Sequence, residues 1–229
     1  MDAEQWTAEE LRARLAACRQ CGEAGFFIGG PPLVHSGRLP APIVVLGQAP
    51  AAIHADDPTT RPFSPGRHGQ GSLLWAWLAQ ACWEEEHFRA TAYITAITRC
   101  FPGPAPSGMG DRRPSAREQA LCRPFWQREL ALAQPEIVIP LGTMALHALG
   151  LKGLRLREAV GQVYSIQLAT RTVPVLPLPH PSGVSRWLND PEHRALLDRA
   201  LAQLETRTRH LRGETRDEER YATDTRIFQ

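Results

Sequence analysis

The stretch Ile43-Val44-Val45-Leu46-Gly47-Gln48-Ala49-Pro50 decides the fold. A β-branched apolar run meets glycine and then proline, which reads as a buried strand opening directly into a loop. Three later runs have the same form. Ala92–Thr98 ends at Arg99-Cys100-Phe101-Pro102, Glu136–Leu141 ends at Gly142, and Thr172–Leu178 ends at Pro179-His180-Pro181-Ser182-Gly183. Val160–Gln167 is a further strand, expected to lie antiparallel. Helical patterns separate these runs at Leu73–Cys82, Ser115–Gln134 and Thr143–Leu149, with Pro191–Leu204 closing the pattern. Strands alternating with helices predict an α/β fold with a mostly parallel sheet. Ligands of such sheets sit beyond the carboxyl ends of the strands. The segments after Leu46, Thr98, Leu141 and Leu178 should therefore share one edge, with Gln48, Cys100 and His180 as neighbours.

A chain of 229 residues holds one α/β domain with a sizeable core. Residues 1–204 are expected to form it. Residues 205–229, with six acidic and six basic side chains, are expected to be a solvated extension. The net charge of +2 does not by itself establish a nucleic-acid partner. Lys152 is the only lysine, so nearly every cation is an arginine; its fork suits phosphate, but with Ala and Pro also abundant the excess as a whole reads as the bias of a GC-rich genome. No segment approaches the roughly 20 apolar residues of a membrane span. The N-terminal stretch lacks the apolar core of a signal peptide. A cytoplasmic protein with no membrane partner is expected.

The chain has five cysteines. A helix capped by Thr7 and Glu10 runs into Cys18-Arg19-Gln20-Cys21-Gly22, and Cys100 and Cys122 form a second group. Four thiolates hold zinc or a [4Fe–4S] cluster, and free thiols also hide in cores; spacing does not choose. Cys82, on an apolar helix, reads as core. The Gly/Pro-rich run Arg61–Ser72 precedes that helix and suits anion binding. It lacks the Lys-Ser/Thr pair of a nucleotide-triphosphate loop.

Five motifs occur in a telling order: Cys-x-x-Cys at 18–21, Gly-Gln-Ala-Pro-Ala at 47–51, Arg-Pro-Phe with Gly-Arg-x-Gly-Gln at 61–70, Tyr-Ile-Thr…Arg-Cys at 93–100, and His-Pro-Ser-Gly at 180–183. Together they resemble the iron–sulfur members of the uracil-DNA glycosylase superfamily, the bacterial and archaeal type (family 4/5-like). The resemblance runs from about Leu15 to Leu204. It implies a three-layer α/β/α sandwich with a central four-stranded, mostly parallel sheet. It also implies a monomeric enzyme of base-excision repair that hydrolyses the N-glycosidic bond of uracil, with other deaminated bases as further substrates, in single- or double-stranded DNA. By the same similarity Cys18, Cys21, Cys100 and Cys122 hold a structural [4Fe–4S] cluster. The long gap between Cys100 and Cys122 implies an extra loop near Gly103–Arg113.

The reaction needs a nucleotide flipped into a pocket, a stacked base, a stabilised leaving anion and a placed water. On the residues alone, His180 reads as a structural histidine, and core is the alternative for Phe63, although a Phe between Pro and Ser in a Gly/Pro loop is less typical of core. The resemblance implies that Phe63 stacks on the base, His180 donates a hydrogen bond to the developing anion at uracil O2, and the Gly47-Gln48 backbone binds base or water. Ser182 and Gly183 would contact phosphates, and Arg186, Trp187 and Leu188 would wedge into the gap left by the base.

Two departures stand out. Gln48 occupies a position where many relatives carry a carboxylate, and an amide holds water without acting as a base. Asp56, Asp57 and His68 are the substitutes nearby in sequence. Ala96 stands where many relatives have an Asn that reads the uracil edge, so weaker or broader base recognition is expected. Both departures also fit the alternative of a catalytically weak or inactive DNA-binding iron–sulfur protein.

Overall fold

The computed structural model describes residues 6–34, 37–52, 60–64, 70–108, 110–169, 171–182 and 187–213. The sheet has five strands, β1 (Ile43–Gly47), β2 (Ala92–Ala96), β3 (Ile137–Pro140), β4 (Tyr164–Leu168) and β5 (Arg171–Val175), in the order β2-β1-β3-β5-β4. The first four strands in that order are parallel; β4 adds antiparallel to the β5 edge. The expected four-stranded parallel sheet is thus present, with one further strand from the Val160–Gln167 segment. β4 alternates half-buried and exposed residues, as an antiparallel edge strand facing water on one side should.

The helices are α1 (Ala8–Ala16), α2 (Gln20–Glu23), α3 (Gln70–Gln80), α4 (Glu85–Thr91), α5 (Ala116–Ala133), α6 (Gly142–Ala148), α7 (Leu156–Ala159) and α8 (Pro191–Thr208). Capping boxes start α1 at Thr7/Glu10 and α5 at Ser115/Glu118. Successive strand side chains point to opposite faces, so β1 feeds two cores. Ile43 and Val45 pack with Leu74 and Leu78 of α3, Phe88 of α4 and Leu197 and Leu201 of α8. Val44 and Leu46 pack with Trp126 and Leu130 of α5 and Ala145 of α6. The result is the three-layer α/β/α sandwich. A satellite core joins Leu11 and Leu15 of α1 to Cys122 and Phe125 of α5, which brings the N-terminal Cys-x-x-Cys beside Cys122.

Two expectations are corrected. The domain boundary after Leu204 falls inside α8. Thr208 is buried and accepts a hydrogen bond from Trp83 Nε1 at 2.9 Å, and His210 Nε2 lies 2.7 Å from the Glu136 carboxylate. Residues 205–213 therefore pack on the body, and 214–229 lie outside the described residues. Cys82 is exposed rather than core: α3 ends at Gln80, and Cys82 turns the chain out at φ 59°. Among the described residues no helix is long and apolar enough to cross a membrane.

β1 is followed in sequence by its neighbour on one side, β2, and then by its neighbour on the other, β3. That reversal opens a crevice at the carboxyl ends of the strands, the place where an α/β sheet binds ligands.

Candidate active site

A cleft of about 650 Å³ lies at that crevice. Gly47 and Gln48 reach it from the end of β1, Ala96 from β2, Gly142 from the end of β3, and His180 and Ser182 from beyond β5. Continued ladder bonds fix these ends. Ile97 N–H donates to Gly47 O at 3.0 Å, and Thr98 donates to Gln48 O from both its N–H and its hydroxyl at 3.3 Å. Leu141 N–H donates to Leu46 O at 2.9 Å, and Gly142 N–H to Leu178 O at 2.8 Å. The backbone around Gln48 is thereby held rigidly while its side chain faces the cleft half-buried.

Phe63 forms the wall opposite the strand ends. Its backbone sits at φ 55°, a costly conformation for a residue with a Cβ. Two side chains hold that turn in place. Trp75 Nε1–H donates to Phe63 O at 2.8 Å, and Arg89, stacked on Trp75, donates to Pro62 O at 2.8 Å. The ring edge reaches Gly47: a Cβ built there would lie 3.7 Å from Phe63 Cζ and 3.9 Å from Ala96 Cβ. Phe63, Gly47 and Ala96 thus meet as one apolar corner of the cleft.

His180 lines the same cleft. Burial, and next the charge of Arg113, lower its pKa from 6.5 to about 4, so the imidazole is neutral at physiological pH and offers one N–H. Ser182 N–H donates to His180 O at 2.8 Å, which tightens the turn behind the ring. Gly142, at φ 79°, lies under it: a Cβ there would meet His180 Cβ at 3.1 Å. Only glycine combines this backbone with so close an approach.

Trp187 also lines the cleft, its ring stacked on His193 at 4.3 Å and 5°. His193 Nδ1–H donates to Trp187 O at 2.8 Å. Trp187 and Leu188 both pack, half-buried, against the core layer of α3 and α8. Gly183 and Arg186 lie outside the described residues, as do Asp56, Asp57 and His68.

Cys18, Cys21, Cys100 and Cys122 line one separate cavity, together with Arg99, Phe101 and Glu118. Cys100 is therefore not a neighbour of Gln48 and His180 in the cleft. β2 ends at Ala96, and the four residues after it carry the chain away from the strand ends. Burial raises the thiol pKa of Cys21 and Cys122 and pushes Cys100 up to about 12; the nearby thiols add to each shift. Grouped thiols of this kind become thiolates only beside positive charge, which is what a metal centre supplies. Among the described residues no three His, Cys, Asp or Glu side chains converge as a single-ion site. Four sulfurs lining one space are the donor set of a thiolate-bound metal centre, zinc or iron–sulfur.

A model of the uracil DNA glycosylase superfamily matches residues 34–205, three-quarters of the chain. The chain belongs to that superfamily. Three type-4 uracil-DNA glycosylases are similar to it. That of Thermotoga maritima is 29% identical over 114 residues, 50% of this chain and 52% of that protein. That of Sulfurisphaera tokodaii is 23% identical over 194 residues, 83% of this chain and 80% of the relative. That of Archaeoglobus fulgidus is 25% identical over 180 residues, 77% of this chain and 82% of the relative. The chain thus spans about half the length of the first and about four-fifths of the other two.

The structure adds cleft residues that motif reading passed over. Thr143, Met144 and His147 enter from α6, and Arg113 from the loop before α5. The strand-end rule pointed to the segment after Leu141, but no motif singled out a residue in it. Arg99 lines both the cleft and the thiol cavity. It is buried, hydrogen-bonded to Thr95 Oγ1 and Leu33 O and paired with Glu129 at 3.5 Å.

Proposed function

We propose that this superfamily member removes uracil from DNA, leaving an abasic site as the first step of base-excision repair. The observation that carries this reading is the convergence of Gly47, Gln48, Phe63, Ala96 and His180, from four separate segments, on one cleft. The names of the relatives agree with it.

In this reading the flipped base enters the cleft and stacks on the face of Phe63, beside the Gly47–Ala96 strand ends. The bond from C1′ of the deoxyribose to N1 of the base breaks, and its electron pair leaves with the base as an anion. His180, neutral and half-buried, donates its N–H to O2 of that anion; a donor already oriented in a desolvated site stabilises developing charge with no reorganisation. Gln48 holds the water that bonds to C1′, and the proton released passes to solvent, since an amide does not accept it. Removing one preorganised donor of this kind costs about 10²–10³ in rate. Ser182 and Gly183 contact the flanking phosphates, and Trp187 with Arg186 and Leu188 stands at the gap in the duplex. Other deaminated bases fit the same cleft, because Ala96 presents a methyl group where an amide would read the uracil edge.

Cys18, Cys21, Cys100 and Cys122 would hold a [4Fe–4S] cluster whose chemistry here is structural, tying α1, α5 and the end of β2 together. The protein would act as a cytoplasmic monomer.

Incubation with single- and double-stranded oligonucleotides carrying one uracil, followed by alkali cleavage, tests the reading. Wild-type protein is expected to leave an alkali-labile site at the uracil, and excision by His180→Ala to fall about 10²–10³-fold with an unchanged melting temperature. Cleavage that survives His180→Ala rules out the assigned donor. Binding without cleavage by wild-type protein favours the second reading, a DNA-binding protein in which Gln48 and Ala96 mark lost catalysis.

A further inference from the structure

The loop between Cys100 and Cys122 has a built interior. Pro104 and Asp111 pair as an antiparallel bridge, and Ala105 N–H donates to Gly110 O at 2.9 Å. Arg112 staples the base of the loop. Its N–H donates to Gly103 O at 2.8 Å, its Nε to Pro102 O at 2.9 Å, and its two terminal nitrogens grip the Glu118 carboxylate at 2.9 and 2.7 Å. Glu118 is buried and doubly bonded to the cap of α5, so the staple rests on a rigid helix end. A loop ordered to this degree holds the next residue in a defined place.

That residue is Arg113. Its side chain is exposed, lines the cleft together with Gly142 and His180, and makes no hydrogen bond or ion pair among the described residues. Two adjacent arginines therefore have opposite fates: Arg112 is consumed by the staple, and Arg113 is left with its fork open at the mouth of the cleft. Its charge is felt inside, where it contributes to keeping His180 neutral. An exposed guanidinium at a rim meets the backbone of an entering strand rather than the base, which must go deeper to reach Phe63.

We propose that Arg113, set by the Arg112–Glu118 staple, grips a phosphate next to the flipped nucleotide and so positions the substrate in the cleft. This rests on the DNA glycosylase reading above. The ligand group is a phosphodiester with its paired oxygens, which an arginine fork matches in a bidentate way.

The test is salt-dependent binding of a duplex carrying one abasic-site analogue, with single-turnover excision of uracil measured in parallel. Arg113→Gln is expected to weaken binding about 10-fold at low salt and to lower the slope of log K against log salt by about 1, the signature of one lost phosphate contact. Arg113→Lys should recover the slope but only part of the affinity, because a point charge lacks the fork. Arg123→Gln, at an exposed site on α5 outside the cleft, should keep the wild-type slope. An unchanged slope for Arg113→Gln overturns the proposal, as does an equal drop for Arg123→Gln. Slower excision with an unchanged slope also overturns it, by placing Arg113 at the base instead. Failure of wild-type protein to excise uracil would fault the glycosylase reading alone, since the binding slopes still report on Arg113.

Discussion

The cleft under His180 is made of strand ends, whereas the thiol cavity beside it is made of loop and helix ends. In the cleft, main-chain bonds continuing the sheet fix Gly47, Gln48 and Gly142, so the site is shaped before anything binds. In the cavity, the four thiols come from α2 and its approach, the segment after β2, and α5. No ladder joins these pieces, and their buried sulfurs repel one another as thiolates. The cleft is preorganised by the fold; the cavity, on the proposed reading, gains its stability as thiolates from the cluster it would hold. Arg99, touching both, is the physical link between them.

The sharpest way to break this contrast is to remove a thiol. Cys122→Ser is expected to abolish absorbance near ~400 nm and to lower the melting temperature by about 10 °C, as loss of several kcal/mol of ligand-linked stability would. Spectroscopy and a thermal scan read both. If the variant melts like wild type, the cavity is no more ligand-dependent than the cleft.

Disturbing the cleft through its backbone should act in the opposite sense, on activity more than on stability. Gly142→Ala puts a Cβ at φ 79° and 3.1 Å from His180 Cβ. A cost of about 1–2 kcal/mol is expected from the left-handed backbone, with roughly 10-fold slower single-turnover excision from the displaced imidazole. A fall in stability with unaltered excision would show that the geometry of His180 is not set by the strand end.

The smallest effect is the pH profile. With its pKa lowered to about 4, His180 stays neutral as pH drops through 6.5, so the acid limb of excision due to this group should appear near pH 4. The stability sign comes from linkage. The unfolded chain takes up a proton at about 6.5 and the folded one only near 4, so the His180 contribution is complete above 6.5 and is lost as pH falls between those values. An acid limb at 6.5 that vanishes in His180→Gln would mean the ring is solvated.

The sheet was legible because its signal is local. β-branched runs ending in Gly or Pro marked β1, β3 and β5, a capping box marked the start of α1, and the helical pattern Ser115–Gln134 matched α5 to within a residue at each end. Helix α4, which carries Phe88 into the core and Arg89 behind the Phe63 turn, was not legible, because its seven residues are too short to display a helical period. The end of α8 was missed for a related reason. Glu205–Thr208 looks like the start of a charged tail, and only the Trp83–Thr208 hydrogen bond, across 125 positions, shows that it is packed.

By itself the sequence determined which residues lie at strand ends, and hence that Gly47, Gln48 and His180 share an edge, because strand periodicity and chain reversal are local consequences of side-chain type. Only the tertiary structure decided that Cys100 belongs to a cavity apart from that edge, that Arg112 and not Arg113 is paired among the described residues, and that burial lowers the pKa of His180. Those outcomes depend on burial and on charges brought together from distant positions, and a linear pattern carries neither.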